Sequence, residues 1–311
     1  MNARMTPQRI TIILCTFNGA AYLEAQLQSY LAQSHSLWDL WVSDDGSTDE
    51  TWAVLEKFQR DHGQGREIRV LRGPGRGACV NFLSLLCHPD LPAGPVALSD
   101  QDDMWMPQKL ARALAALGAA GPLALYGAQS LHCDAGLRVL GQSVSMPHPP
   151  TFGIALVQNV VSGHSAVLSA DAVALVRSAG VPNAVPFHDW WLYQLISGAG
   201  GDIVIDPDPV LYYRQHGANV MGAHRGLRAR IDRITVAMGG RYGDWIAANL
   251  AALAGVERLL TAENRKVLTR LRAQPRRAGL ARARAFAACG VRRQSLAATA
   301  VLYVALMLGR V

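Results

Sequence analysis

Three carboxylates crowd into four residues at Asp100-Gln101-Asp102-Asp103, directly after the apolar run Val96-Ala97-Leu98 and just before the helix-opening Met106-Pro107. That order puts the acids at the carboxyl end of a buried strand, where open α/β sheets bind ligands. Like charges this close repel one another and call for a compensating cation. A hard divalent ion, Mg²⁺ or Mn²⁺, is the expected cofactor, and such ions commonly bring substrate phosphates with them. A second acidic loop has the same layout. The segment 37–43 reads as a strand and runs into Asp44-Asp45-Gly46-Ser47-Thr48-Asp49 ahead of the helical pattern of Trp52, Leu55 and Phe58. Gly46 permits the tight turn, and Ser47, Thr48 or Asp49 can cap the helix. Two such strand-to-helix loops point to one site shared by neighbouring strands.

The elements that must position these loops alternate along the first 120 residues. Strand patterns at 9–14, 37–43, 68–71 and 96–99 are separated by helical patterns at 21–33, 48–62, 76–87 and 107–117. This implies βαβ units and a mostly parallel sheet. Residues 123–131 read as a further strand and Cys133-Asp134-Ala135-Gly136 as a hairpin turn, so the sheet should become mixed. A strand at 160–168, a helix opening at Asp171, a helix after Asp189 and short strands at 202–205 and 210–214 follow. Beyond Gly222 the pattern is helical and Arg-rich, with breaks expected at Pro275 and at glycines 239, 240, 279 and 290. The expectation is therefore a catalytic domain over 1–224 and a basic helical extension over 225–311.

Half of the 311 residues are apolar, enough for a substantial core. Five cysteines without C-x-x-C spacing favour a reducing compartment and speak against structural zinc. The apolar stretch at 10–14 is too short for a signal peptide core and reads as the first strand. The net charge of +7 hides a division: residues 1–224 carry 13 Lys/Arg against 19 Asp/Glu, whereas residues 225–311 carry 17 against 4. The acidic part suits a metal ion with a sugar or nucleotide. The basic part suits an anionic surface, and aromatic interleaving is too sparse there to favour nucleic acid.

Five segments occur in a telling order: Ile10–Gly19 (ITIILCTFNG), Val42–Asp49 (VSDDGSTD), Ser99–Trp105 (SDQDDMW), His188–Trp191 (HDWW) and Arg214–Val220 (RQHGANV). Together they resemble the family-2 glycosyltransferases of the GT-A fold, in particular the bacterial rhamnosyltransferase-like branch, over roughly residues 9–222. The resemblance implies an inverting transferase that moves a sugar, with L-rhamnose as the branch's suggestion, from a nucleotide-diphosphate donor to a saccharide or lipid-linked acceptor in cell-surface polysaccharide assembly. It makes Asp102 the principal metal ligand, with Asp100 and Asp103 orienting the diphosphate or donor sugar. Asp45 would read the base, with Thr16 and Phe17 lining the same pocket. Asp189 would be the general base on the acceptor hydroxyl, His216 a second metal ligand and Arg214 a diphosphate clamp.

Each assignment has a plainer alternative: helix capping for Asp102 and Asp189, turn formation for Asp44 and Asp45, a surface turn for His216. Gly73-Pro74-Gly75-Arg76-Gly77 lacks the spacing of a Rossmann or P-loop motif and reads mainly as a turn, with Arg76 a minor donor-binding candidate. Trp105 and Trp191 are either a sugar platform or core. The run 296–308, almost uncharged, is too short to span a bilayer and suits either an interfacial helix or one docked on the domain. The expected location is cytoplasmic, peripheral at the inner face of the plasma membrane. A metal-dependent sugar nucleotidyltransferase and a non-catalytic membrane-associated scaffold are the rival functions.

Overall fold

The computed structural model describes residues 8–143, 146–215 and 239–311. Strands β1 (Ile10–Thr16), β2 (Trp38–Asp44), β3 (Ile68–Arg72) and β4 (Val96–Ser99) alternate with helices α1 (Ala20–Leu31), α2 (Thr51–His62) and α3 (Ala78–Leu86). After β5 (Met104–Trp105) and α4 (Lys109–Ala119) come β6 (Ala124–Cys133), β7 (Val139–Gln142), α5 (Phe152–Ala155) and β8 (Val167–Leu168). Helices α6 (Ala170–Ala179) and α7 (His188–Gly198) and the long β9 (Asp202–Arg214) complete the sheet-bearing part. The basic region adds α8 (Arg241–Gly255), α9 (Ala262–Arg272), α10 (Leu280–Ala288) and α11 (Leu296–Met307).

One sheet runs β3-β2-β1-β4-β8-β6-β9-β5, with β7 paired to β6. The half containing β3, β2, β1 and β4 is all parallel, while β8 joins β4 and β6 antiparallel and β6 and β9 are again parallel. Period-two alternation assigns each strand residue to a face. Ile10, Ile12 and Leu14 of β1 enter a core with Leu23, Leu27 and Leu110 from α1 and α4, and Ile13 and Cys15 enter the opposite core with Phe82, Leu83 and Leu86 from α3. The run at 10–14 is thus the buried middle of the parallel half.

Three elements differ from expectation. The predicted strand 160–168 shrinks to β8, because residues 163–165 make a short 3₁₀ turn. The two predicted strands at 202–205 and 210–214 are one, β9, whose register against β6 slips near Pro207 and Pro209; proline has no N–H for the ladder, so the strand bulges instead of ending. Two-residue β5, which none of the expected strands covers, pairs antiparallel with Leu211 and Tyr212 of β9.

The expected boundary at 224/225 lies outside the described residues. The helices beyond it share the larger core: Ile246, Leu250 and Leu253 of α8, Leu268 and Leu271 of α9, Phe286 of α10 and Leu302 and Leu306 of α11 cluster with Trp190, Trp191 and Phe152. Pro275 and glycines 240, 279 and 290 all lie at helix ends, as the composition suggests. Phe286 is fully buried. Phe286→Ala is expected to cost about 3–5 kcal/mol, read as a lower urea midpoint in a single unfolding transition shared with the sheet-bearing part.

Candidate active site

The site forms where β1, β2 and β4 end side by side. Because β1 lies between β2 and β4 and is parallel to both, the loops after Thr16, Asp44 and Ser99 emerge at one edge of the sheet. Side chains then lace the loops together. Gln101 donates to the Phe17 carbonyl and accepts from the Phe17 N–H, at 3.0 and 2.9 Å. The Asn18 N–H donates to Ser47 Oγ, and Asn18 Oδ1 accepts from the Thr48 N–H, which holds Asn18 at its positive φ of 48°. A Cβ on Gly19 would come within 2.2 Å of Gln101 Oε1, so glycine here leaves room for the Gln101 amide on Phe17.

The paired aspartates after β2 divide their work. Asp44 is buried and accepts from Thr16 Oγ1 (2.7 Å), Ser47 N (2.8 Å), Ser47 Oγ (2.5 Å) and Trp52 Nε1 (2.9 Å). Burial pushes its pKa up, but these donors outweigh burial and hold it below the ordinary carboxylate value. Asp44 and Thr16 therefore brace the loop. Asp45 accepts from the backbone N–H groups of Gly75 (2.7 Å) and Gly77 (2.6 Å). The glycine-rich segment is thus a cradle around Asp45, with φ of +66° and +86° at those two glycines, and Arg76 stands exposed between them. The N-cap of α2 is Glu50, without a side-chain capping bond, rather than Ser47, Thr48 or Asp49; Asp49 accepts from the Thr51 N–H and from the Ala20 N–H at the start of α1. The side chain of Phe17 is 56% exposed, available to lie against a flat ligand face.

The acidic loop after β4 grades from open to sealed. Asp100 and Asp102 keep part of their surface, whereas Asp103 is fully buried and its Oδ2 has no hydrogen-bond partner. Register explains the neighbours. Antiparallel pairing of Val96 with Leu168 and Ala97 with Val167, continued toward the loop, brings His164 beside Asp100. Pairing of Met104 with Tyr212 brings Arg214 beside Asp102 and Asp103. Accordingly, ligand atoms of Asp100, Asp103 and His164 all lie within 4.8 Å of one another. Burial, with the Asp102 and Asp189 charges added, raises the Asp100 pKa to about 7, and burial with Asp100 and Asp102 raises that of Asp103. Burial, with Lys109 and His132 nearby, lowers His164 to about 3, so its imidazole is neutral and can offer a lone pair.

Lys109 is the buried cation of this region. Its ammonium donates to the His164 carbonyl (2.6 Å) and sits 3.5 Å from the centre of a Trp105 ring. Burial lowers its pKa while Asp103 and Asp100 push it back up. Arg214, 5% exposed, donates through Nε to the Asp102 carbonyl (2.9 Å) and through Nη1 to the Ala135 carbonyl, and its guanidinium lies 4.7 Å from the Tyr22 ring centre. These contacts tie the acidic loop to β9. At the start of α7, Asp189 accepts from the Gly163 N–H (3.0 Å) and the Trp190 N–H (2.7 Å). The capping position of α7 belongs to Phe187, so Asp189 is not its N-cap. Gly163 immediately precedes His164, so this bond sets Asp189 beside the Asp100, Asp103 and His164 cluster.

Of the residues expected from sequence, Thr16, Phe17, Asp45, Arg76, Asp100, Asp102, Asp103, Asp189 and Arg214 all lie on these adjoining loops and strand ends; His216 lies outside the described residues. The sugar-platform reading of Trp105 and Trp191 is corrected: both are core, 2% and 0% exposed, and Trp105 packs against Tyr30. Lys109, Gln101 and His164 were not assigned from sequence. Lys109 sits on an amphipathic helix like any surface lysine, and His164 depends on a two-residue strand that periodicity does not register.

Residues 11–159 match Glycosyl transferase family 2. Over that stretch, just under half of the chain, the sequence is that of a family-2 glycosyltransferase domain. Among curated relatives, the dTDP-rhamnosyl transferase RfbG of Shigella flexneri is 25% identical over 247 residues, covering 78% of this chain and 84% of the relative. The putative teichuronic acid biosynthesis glycosyltransferase TuaG of Bacillus subtilis is 27% identical over 34% of this chain and 40% of its own length. The mannosyltransferase PcManGT of Pyrobaculum calidifontis, solved with GDP-Man and Mn²⁺, superposes with a TM-score of 0.55 at 17% identity, over 98% of this chain and 86% of the other. TarS residues 1–349 of S. aureus, solved with UDP-GlcNAc, gives 0.53 at 16% identity, over 90% and 88%. The fold is GT-A, as in these solved structures.

Because the folded-state pKa of Asp100 lies above the ordinary value of 3.8, the folded protein holds its proton longer than the unfolded chain. Without a cation, this group's contribution to stability therefore falls as pH rises from about 4 to about 7. A divalent ion binds the ionised form and reverses that loss. The Tm increase on adding Mn²⁺ to chelator-treated protein is expected to be larger at about pH 7.5 than at about pH 5, measured by calorimetry.

Proposed function

We propose that this glycosyltransferase moves a sugar from a nucleotide-diphosphate donor onto a hydroxyl of a saccharide or lipid-linked acceptor, with inversion at the anomeric carbon. The observation that carries the reading is the hydrogen bond from the Gly163 N–H to Asp189, which sets one base-capable carboxylate beside the cluster of Asp100, Asp103 and His164. L-Rhamnose is the proposed sugar and cell-surface polysaccharide the proposed product, supported by the similarity to the Shigella flexneri rhamnosyl transferase over most of both chains.

The donor set fits Mn²⁺ or Mg²⁺: carboxylates of graded exposure, a neutral imidazole and a buried Asp103 oxygen without a partner. Asp102, with Asp100, Asp103 and His164, would hold the ion; His216 stays a candidate from the motif alone. When bound, the ion neutralises charge on the departing diphosphate, a role otherwise needing an acid. Asp189 takes the acceptor hydroxyl proton at a carboxylate oxygen. Both of its oxygens already receive backbone N–H groups, which fix its orientation without occupying every lone pair. A single base on the acceptor side implies one displacement opposite the leaving group, hence inversion.

Phe17 would stack on the base, and Asp45, steadied by Gly75 and Gly77, would accept from a ring N–H. Thr16 contributes through Asp44 and the loop it braces. Exposed Arg76 would reach the diphosphate. Arg214 serves the donor site by holding the Asp102 backbone in place.

The five cysteines are free, in keeping with a proposed cytoplasmic location. Among the described residues no helix is long and apolar enough to cross a membrane. The basic region is proposed to bring the enzyme to the inner face of the plasma membrane by charge.

Incubation with a panel of nucleotide sugars and Mn²⁺ is expected to show turnover of one donor class, with a dTDP-linked deoxyhexose foremost, and none with excess chelator. Asp102→Asn should abolish Mn²⁺-dependent donor turnover in a protein that unfolds as the parent does. Asp189→Asn should lower kcat by about 10²–10⁴-fold with little change in donor affinity, because the group acts on the acceptor. Retained anomeric configuration in the product, read by NMR, would rule out the single displacement.

A further inference from the structure

Helix α11 is apolar on every side yet covered on only one. No charged residue occurs from Leu296 to Leu308. Leu302, Ala305 and Leu306 pack into the large core. The other side, Leu296, Ala300, Val304 and Leu308 at successive i+4 steps together with Met307, is open to solvent, with Leu296 84% and Leu308 59% exposed. Positions spaced this way form one stripe along the helix. Water-soluble helices normally turn a polar face outward, and a helix apolar all round is ordinarily buried. The stripe continues onto α10: a Cβ on Gly279 would meet the Met307 carbonyl at 2.8 Å, so exposed Leu280 abuts the end of α11.

The rim of the stripe is basic. A Cβ on Gly309 would meet the backbone of Arg276 and Arg277 at 3.3 and 3.9 Å, which places both beside the end of α11. Arg277, Arg284, Arg292 and Arg310 are exposed. From Asn264 to Val311 the chain has 11 Lys/Arg and no Asp or Glu. Asp244, the acid that pairs with Arg276 at 2.7 Å, comes from α8.

We infer that the open stripe of α11, with Leu280, inserts into the acyl-chain boundary of an anionic phospholipid bilayer while the surrounding arginines engage the headgroup phosphates. Aliphatic side chains of this size suit lipid tails, and a one-sign basic rim suits phosphates. A second copy of the chain would bring the same basic rim against itself. Nucleic acid would leave the aliphatic stripe unused, since it offers no aromatic ring for a base. The inference rests on the proposed charge-driven membrane attachment and adds the inserting surface.

The test uses the full chain with neutral phosphatidylcholine vesicles and with vesicles containing phosphatidylglycerol. The parent is expected to co-sediment with the anionic vesicles at low salt, and the triple variant Leu296→Gln, Val304→Gln, Leu308→Gln to partition about tenfold less strongly at unchanged Tm. In a Val304→Trp variant, indole fluorescence should be quenched by brominated acyl chains. Undiminished binding of the triple variant, or no quenching, overturns the insertion while leaving charge-driven attachment standing. Absence of parent binding to anionic vesicles overturns the attachment reading itself. A parent dimer that the triple variant loses in sedimentation would assign the stripe to a second copy and overturn the lipid inference.

Discussion

Repulsion among carboxylates gathered at one strand end is the constraint around which the molecule is arranged. Asp100, Asp102 and Asp103 leave β4 together, Asp189 adds a fourth charge from α7, and burial strips most of the water that would screen them. The protein answers with two cations of different kinds. Lys109 is a point charge sealed beneath the loop and anchored by the His164 carbonyl and the Trp105 ring. Arg214 grips the backbone carbonyls of Asp102 and Ala135, so it fixes where the acidic loop stands. The sealed Oδ2 of Asp103 stays without a hydrogen-bond partner. A site held in that condition is poised for a cation.

The neighbouring aspartates follow a contrary logic. Asp44 collects donors until its negative charge is stabilised, and what it gains in rigidity it loses as a reagent. Asp45 spends backbone amides of a glycine turn on both oxygens. Adjacent residues of the same type thus differ in role because one side chain points into the β1–β2 junction and the other toward the turn after β3. Gln101 ties the acidic loop after β4 to Phe17, and the adjoining Asn18 ties that segment to Ser47 and Thr48 after β2, so the two acidic loops cannot shift independently.

The C-terminal helices show the same economy on a larger scale. They close the core over α7, the helix that carries Asp189, and so hold the proposed base from behind through Trp190 and Trp191. Their outer surface is released from that duty and keeps arginines and an open aliphatic stripe. One apolar helix can serve both purposes because its two sides are chemically alike and only packing distinguishes them.

Much of this was legible in the linear order of residues. Alternating apolar runs and helical periods determined the β1–α4 half, because parallel strands buried on both faces are apolar throughout and their connections are short. The clustering of acids after two strands determined where a site must be, since parallel strands end at a common edge. Tertiary structure alone decided which acids do which work. Two-residue strands β5 and β8 carry too few residues for any period, yet their registers set His164 beside Asp100 and Arg214 beside Asp102 and Asp103. Burial of Lys109, and of Trp105 and Trp191, likewise depends on what packs over them rather than on their spacing. Charge state, exposure and partner are properties of distance through space, and residues as far apart in the chain as Asp102 and Arg214 acquire those distances only when the sheet closes.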